Sequence, residues 1–211
     1  MNSSAPTPTC FAASTVVVAL LVGCADPPLE ETPPLQVAEN VIRVPDGSTL
    51  LHIDDLGGSI QVDDDATFGA ANHFLDASFS PGGERVAVVT SAAAHGAGWF
   101  LERDERVLHP AAFQYGGSVS LGPWSQDGAW IAFIHEGPAG DRTLTVAHGR
   151  RPAATVEEAS HRVRVPGHDD MAPEERIYDV LEWREGRLLF RLAERVWSFD
   201  PRTGEVWEEE G

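Results

Sequence analysis

The feature that most restricts what this 211-residue chain can fold into is a segment written twice without a gap. Asp76-Ala-Ser-Phe-Ser-Pro-Gly-Gly-Glu-Arg-Val-Ala-Val-Val-Thr90 aligns with Leu121-Gly-Pro-Trp-Ser-Gln-Asp-Gly-Ala-Trp-Ile-Ala-Phe-Ile-His135. The alignment sets Phe79 against Trp124, Ser80 against Ser125 and Gly83 against Gly128. Each copy reads as one β-hairpin. An aromatic residue ends a strand, a Ser-Pro-Gly-Gly or Ser-Gln-Asp-Gly turn reverses the chain with glycine supplying the positive φ, and an apolar strand returns. Val180-Leu-Glu-Trp-Arg-Glu-Gly-Arg-Leu-Leu-Phe-Arg-Leu192 is a third copy, with Trp183 as its aromatic residue, Gly186 as its turn glycine and a loop two residues shorter. Removing an even number of residues preserves the pleat. Leu188 and Phe190 are therefore expected on the face used by Val86 and Val88, or by Ile131 and Phe133.

Other short alternating runs bounded by Gly, Pro and Asp extend the same pattern. They are Ser48–Ile53 after a Pro45-Asp46-Gly47 turn, Gly98–Arg103 and Arg106–His109 around a charged turn, Thr143–Ala147, and Arg195–Phe199. This is the signature of antiparallel sheet, and outside the N-terminus no long window keeps a helical period.

These repeats resemble the "W-S-P-D-G-x-x-I-A-F" motif of the TolB-like, WD40-like (PD40) β-propellers, in which each copy is the inner hairpin of a four-stranded blade. The resemblance implies an all-β fold, a small or partial β-propeller of about four blades of antiparallel sheet. Val196-Trp-Ser-Phe-Asp-Pro-Arg-Thr-Gly-Glu-Val-Trp207 looks like a propeller outer hairpin, with Asp200–Gly204 as its turn and Trp197 and Trp207 as packing residues. The turn glycines fall 45 and then 58 residues apart, against about 40 to 45 per blade, so residues 149–175 are expected to contain an insertion. Val41–Val62 supplies one degenerate blade or the strands that close the ring. The chain therefore reaches four blades at most, as a very small ring or as an open curved sheet whose edge needs a partner.

The N-terminus carries a different signal. An apolar stretch from Phe11 to Val22 runs into Leu21-Val22-Gly23-Cys24, which resembles a bacterial lipobox. About a dozen apolar residues span under roughly 20 Å as a helix, short of a hydrocarbon core of about 30 Å. A secretory h-region ending in small residues fits better. The expected organisation is a lipoprotein signal peptide over 1–23, cleavage between Gly23 and Cys24, lipid on Cys24, a disordered Pro-rich tether over 24–40, and a β-propeller-like domain over 41–211. The tether reading rests on Pro27, Pro28, Pro33 and Pro34 interleaved with Asp26, Glu30 and Glu31, which deny a helix its hydrogen bonds and are too polar to bury. Cys10 lies in the signal, so the mature chain holds one cysteine, already lipidated, and no disulfide.

Charge separates anchor from body. The chain has 33 acidic residues against 15 basic ones, all arginine, for a net charge of −18. Such a surface repels nucleic-acid phosphates and anionic lipid heads, which excludes a nucleic-acid partner and leaves membrane attachment to the acyl chains.

Chemistry has few candidates. His161, His168, Asp169 and Asp170 place imidazoles and carboxylates in the 149–175 segment, the side chains a divalent cation takes, but at no established ligand spacing. Asp63-Asp64-Asp65 with His73 lacks the glycine and terminal glutamate of a calcium loop. Ser118 and Ser120 sit in Gly116-Gly-Ser-Val-Ser-Leu-Gly122, which does not make a Gly-x-Ser-x-Gly elbow, and turn geometry accounts for Ser80 and Ser125. No phosphate-binding loop is present. The expectation is a lipid-anchored, non-catalytic envelope protein without cofactor, whose body binds an unidentified envelope protein or ligand. Two alternatives stand beside it. One is an accessory propeller module of a peptidase or hydrolase system, because such repeats resemble those that gate prolyl-oligopeptidase-type enzymes, although no hydrolase domain follows Gly211. The other is a metal or small-ligand sensor using the 149–175 segment.

Overall fold

A computed structural model of the chain describes residues 34–69 and 71–209. The signal over 1–23, the Gly23–Cys24 cleavage point and the tether up to residue 33 lie outside the described residues.

The fold is all-β, in five antiparallel sheets. β1 (Gln36–Ala38), β2 (Val41–Arg43) and β3 (Thr49–His52) form the first sheet, and β4 (Ser59–Gln61) pairs with β5 (Thr67–Gly69) in the second. Three four-stranded sheets follow. They are β6 (His73–Phe79), β7 (Arg85–Ala92), β8 (His95–Glu102) and β9 (Val107–Tyr115); then β10 (Ser118–Trp124), β11 (Trp130–Glu136), β12 (Arg142–His148) and β13 (Ser160–Val163); then β14 (Tyr178–Arg184), β15 (Arg187–Leu192), β16 (Arg195–Asp200) and β17 (Glu205–Glu208). Within each sheet the strands lie side by side in chain order.

The sequence repeats are the first hairpins of the three large sheets. Ser80 N–H donates to the Arg85 carbonyl at 2.9 Å and Gly83 N–H to the Ser80 carbonyl at 2.8 Å; in the second copy Ser125 N–H donates to Trp130 at 2.8 Å and Gly128 N–H to Ser125 at 2.9 Å. The serine hydroxyls complete both turns by accepting from Arg85 N–H at 3.1 Å and Trp130 N–H at 2.9 Å. The shorter third loop has positive φ at both Glu185 (52°) and Gly186 (77°), the geometry of a two-residue type I′ turn, which matches the right-handed twist of the strands it joins.

Registry follows from these turns. Val86 and Val88 pack with Ile42, Leu51 and Phe74; Ile131 and Phe133 pack with Ala87, Val89 and Phe100; Leu188 and Phe190 pack with Trp130, Ala132 and Leu144. In every copy the same strand face meets the preceding sheet, as the even loop deletion requires. The alternate residues of β7 and β11, such as Ala87, Val89 and Ala132, meet the following one. Both faces of these central strands are buried, which is why they read as continuous apolar runs.

Two cross-links recur with the repeat. The Trp124 indole N–H donates to the Ser78 hydroxyl at 3.0 Å, and the Trp183 indole N–H to the Pro123 carbonyl at 2.8 Å. Ser78 and Pro123 occupy the same position of the aligned copies, so each tryptophan fastens its sheet to the same rung of the sheet before. The first copy has Phe79 here, which cannot donate; the Arg103 guanidinium lies 5.1 Å from its ring centre. Arginines also brace the turns: Arg103 donates to the Gly83 carbonyl at 2.7 Å and Arg150 to that of Asp127.

Two boundaries differ from the sequence reading. β1 falls inside the segment read as tether, because its apolar Val37 packs on the core beside β2 once the prolines have ended at Pro34. The excess over 149–175 is not one inserted loop: β13 within it is the fourth strand of its sheet. The added residues are a one-turn helix, α1 (Val156–Ala159), capped by the Thr155 hydroxyl accepting from Glu158 N–H at 3.1 Å, and two 3-10 turns at 168–170 and 173–175.

Candidate functional site

A cleft of about 360 Å³ opens at the end of the molecule where β6 and β10 begin. Its walls are Leu75 on β6 and Tyr115 at the end of β9, and its floor is the β7–β8 turn, Ser91 to Gly96, with Gly116, Gly117 and Ser118 of the β9–β10 connection. This volume lies at the small end of the range for ligand pockets.

Local sequence builds each part. Leu75 is the extra residue of a β-bulge, since the pairing of β6 with β7 shifts between Phe74 and Asp76. Phe74 enters the core while Leu75 is turned out, 52% exposed, the re-aiming that bulges perform. Tyr115 is 62% exposed and belongs to a group of rings: Phe68 stacks on Phe113 with centroids 4.4 Å apart, His95 lies 5.0 Å from Phe113, and Tyr115 lies 5.8 Å from Phe68. His95 Nε2 is 3.2 Å from the Gly69 carbonyl, which fixes its ring. The floor needs glycine at two points. A Cβ at Gly96 would lie 2.6 Å from the Val119 nitrogen, and one at Gly117 would lie 1.9 Å from the Glu136 carbonyl oxygen. Without side chains these segments close onto β10 and β11.

The lining contains leucine, alanine, serine, glycine, tyrosine and one histidine, and no Asp, Glu or Arg. A second cleft of about 360 Å³ holds Asp55, Gln61, Trp99 and Arg106, but those groups are committed internally. The Asp55 carboxylate accepts from His52 N–H at 2.8 Å, Arg106 donates to the Leu50 carbonyl at 3.2 Å, Gln61 donates to the Asp63 carbonyl at 2.6 Å, and the Trp99 indole donates to Thr90 at 3.0 Å. They hold the fold together there.

The residues singled out from the sequence do not converge. His168 is buried, its Nδ1 2.6 Å from the Tyr178 hydroxyl, and burial lowers its pKa while raising that of Tyr178. Asp169 is on the surface, ion-paired to Arg164 at 3.2 Å; Asp170 is exposed; His161 is on β13 with its ring 6.0 Å from that of Trp130. Among the described residues no three His, Cys, Asp or Glu side chains come together as cation ligands. Asp63 caps its own turn, accepting from Asp65 N–H at 2.9 Å and Ala66 N–H at 2.7 Å. Ser118 lines the cleft floor. Trp197 is packed in the core, while Trp207 is 38% exposed under the Arg187 guanidinium. Leu75, His95 and Tyr115 were missed because they meet only through the fold. The one local trace is the adjacent apolar pair Phe74-Leu75, which breaks the alternation of β6.

No protein-family model matches this chain, and no curated protein matches it. Among solved structures it is similar to TolB from Acinetobacter baumannii, at 15% identity and a TM-score of 0.39, over 82% of this chain and 51% of that one. It is also similar to Hsv2 from Kluyveromyces lactis, at 12% identity and a TM-score of 0.39, over 83% of this chain and 59% of that one. A putative TolB from Agrobacterium tumefaciens matches at 12% identity and a TM-score of 0.28, over 82% and 75%. The chain thus aligns with about half the length of the first of these proteins.

Proposed function

We propose that this chain is a non-catalytic binding scaffold of the bacterial envelope, held to a membrane by lipid on Cys24, with its stacked sheets acting as blades of a partial propeller. The cleft between Leu75 and Tyr115 is its binding site. The observation that carries this reading is the pair of large apolar side chains held out to solvent beside an uncharged cleft, on a chain of net charge −18. Apolar side chains lining a cleft give a ligand's apolar group a surface to desolvate, and the bulge and the two glycines above are what create this one. The lipobox-like Leu21–Cys24 supports the anchor.

A photo-crosslinking amino acid at Tyr115 of the full chain in its native envelope tests the binding site. It is expected to give a discrete adduct that the same group at Thr203, in the exposed β16–β17 turn, does not give. Identical patterns at the two positions would remove the cleft from consideration. Intact-mass analysis of membrane-extracted protein tests the anchor: the chain should begin at an acylated Cys24, and Cys24→Ala should leave unprocessed or soluble material. A soluble chain beginning at Met1 would refute the lipid.

A further inference from the structure

We infer that the cleft selects a cationic peptide segment whose single large apolar side chain enters between Leu75 and Tyr115; this rests on the cleft being the binding site. The lining has no charged side chain, but its surroundings are acidic. The Glu39 carbonyl accepts from Phe74 N–H at 2.8 Å, which brings exposed Glu39 beside Leu75, and exposed Asp76 follows Leu75 in the chain. On the other side Glu136 is the cross-strand partner of Ser118. Beyond it Pro138 packs 3.5 Å from where a Gly116 Cβ would be, in the short loop that leads to Asp141. Arg142, opposite Glu136 on β12, is shared by two carboxylates, Glu136 at 3.2 Å and Asp179 at 2.9 Å. Glu136 is thereby ion-paired and Arg191 stands across from Asp179, so the carboxylates outside ion pairs near the cleft, among the described residues, are those of Glu39, Asp76 and Asp141.

Size and charge act together. A cleft of about 360 Å³ accommodates one large side chain with its flanking main chain and not a folded lobe. An apolar anchor is favoured by desolvation of Leu75 and Tyr115, while lysine or arginine on either side of it has Glu39, Asp76 and Asp141 nearby. An anionic segment has three like charges nearby instead. Rim charges of this kind set association rate, salt dependence and rejection of wrong partners more than they set the anchor's contribution.

The test uses the full lipidated chain in nanodiscs of zwitterionic phospholipid and fluorescence anisotropy of a short labelled peptide with a central tryptophan flanked by lysines. Counterparts carry glutamate for lysine, or alanine for tryptophan. The lysine peptide should bind at least about tenfold more tightly than the glutamate peptide and lose that advantage in high salt. Leu75→Gln and Tyr115→Ala, both at exposed positions, should each weaken it about tenfold, as loss of a central anchor contact does. Glu39→Gln with Asp76→Asn should reduce the preference for lysine over glutamate while leaving the tryptophan dependence intact. Equal binding of the lysine and glutamate peptides overturns the charge selection and leaves the cleft reading standing. Equal binding of the tryptophan and alanine peptides, or affinities unmoved by Leu75→Gln and Tyr115→Ala, overturns the cleft as well. Displacement of the lysine peptide by laurate at equal affinity would assign the cleft to an acyl chain and overturn the peptide.

Discussion

His135 on β11 is 4% exposed, with Nε2 2.8 Å from the Thr145 hydroxyl across the β11–β12 pair. Burial, with a smaller contribution from Arg162, pulls its pKa from the ordinary 6.5 down to about 4. Its folded pKa is therefore depressed, so the unfolded chain binds the proton first as the solution is acidified. Stability is full above about pH 6.5 and declines as pH falls towards 4. A shift of that size corresponds to about 3 kcal/mol once both limits are passed. Urea unfolding of the native chain and of His135→Gln at pH 7.5 and pH 4.5 checks this. The variant should be less stable than the native chain at pH 7.5 and should lose less on acidification, the shared carboxylate effects cancelling in the comparison. An equal loss in both chains would mean that this imidazole is not held neutral. His168 shows the same physics in a place where sequence reasoning pointed elsewhere. In the primary structure it is an imidazole beside two carboxylates, and nothing local reveals that the Tyr178 hydroxyl, ten residues on, lies 2.6 Å from its Nδ1.

The indole fastening is a property of the hairpin as an element. Trp124 and Trp183 each reach the same rung of the preceding sheet, and each bond joins segments far apart in the chain. Trp183→Phe keeps the ring in its packed position and deletes only the donor, leaving the Pro123 carbonyl without it. The expected loss is about 1 kcal/mol, read as a fall in the thermal unfolding midpoint of roughly 2 to 4 °C for a domain of this size. Phe79→Trp should bring no matching gain, because no copy of the hairpin precedes it. A Trp183→Phe chain as stable as the parent would reduce the recurring bond to coincidence of packing. Much of this level was legible in the sequence. Turn glycines, the aromatic residue before the turn and the period-two strands are local rules, so hairpins and faces followed from them. β5 and β13 were not legible, since Thr67–Gly69 is only three residues long, Ser160–Val163 is polar at its first three positions, and each is ordered by the strand beside it. The cleft was illegible for a related reason: it is assembled from two connections and a bulge, with no segment carrying its pattern alone.

At the scale of the whole folded unit, each large sheet buries one face against the sheet before it, and the stack has a first and a last face. On the outer face of the third large sheet Arg187 and Arg191 of β15 are exposed beside Leu189, and Trp207 is partly covered by Arg187. The first is closed by β1 to β3, whose Ile42 and Leu51 cover Phe74, Val86 and Val88. β1 is therefore part of the seal. It contributes Val37 to that core, and the Glu39 carbonyl after it accepts the Phe74 N–H that precedes the bulge at Leu75. A chain that starts at Pro34 should consequently unfold at a higher temperature than one that starts at Val41. Losing the partly buried Leu35 and Val37, the pairing of Val37 with Ile42, and the main-chain hydrogen bonds that Glu39 and Asn40 accept from Phe74 and Ile53 corresponds to about 3 kcal/mol, or roughly 9 °C. Because the bond lost from Phe74 sits beside Leu75, the shorter chain should also bind the lysine-flanked tryptophan peptide less well. Calorimetry and anisotropy on the two chains check both statements. Equal midpoints would place the start of the domain at Val41, where the apolar pattern alone puts it, and would detach the first sheet from the geometry of the cleft.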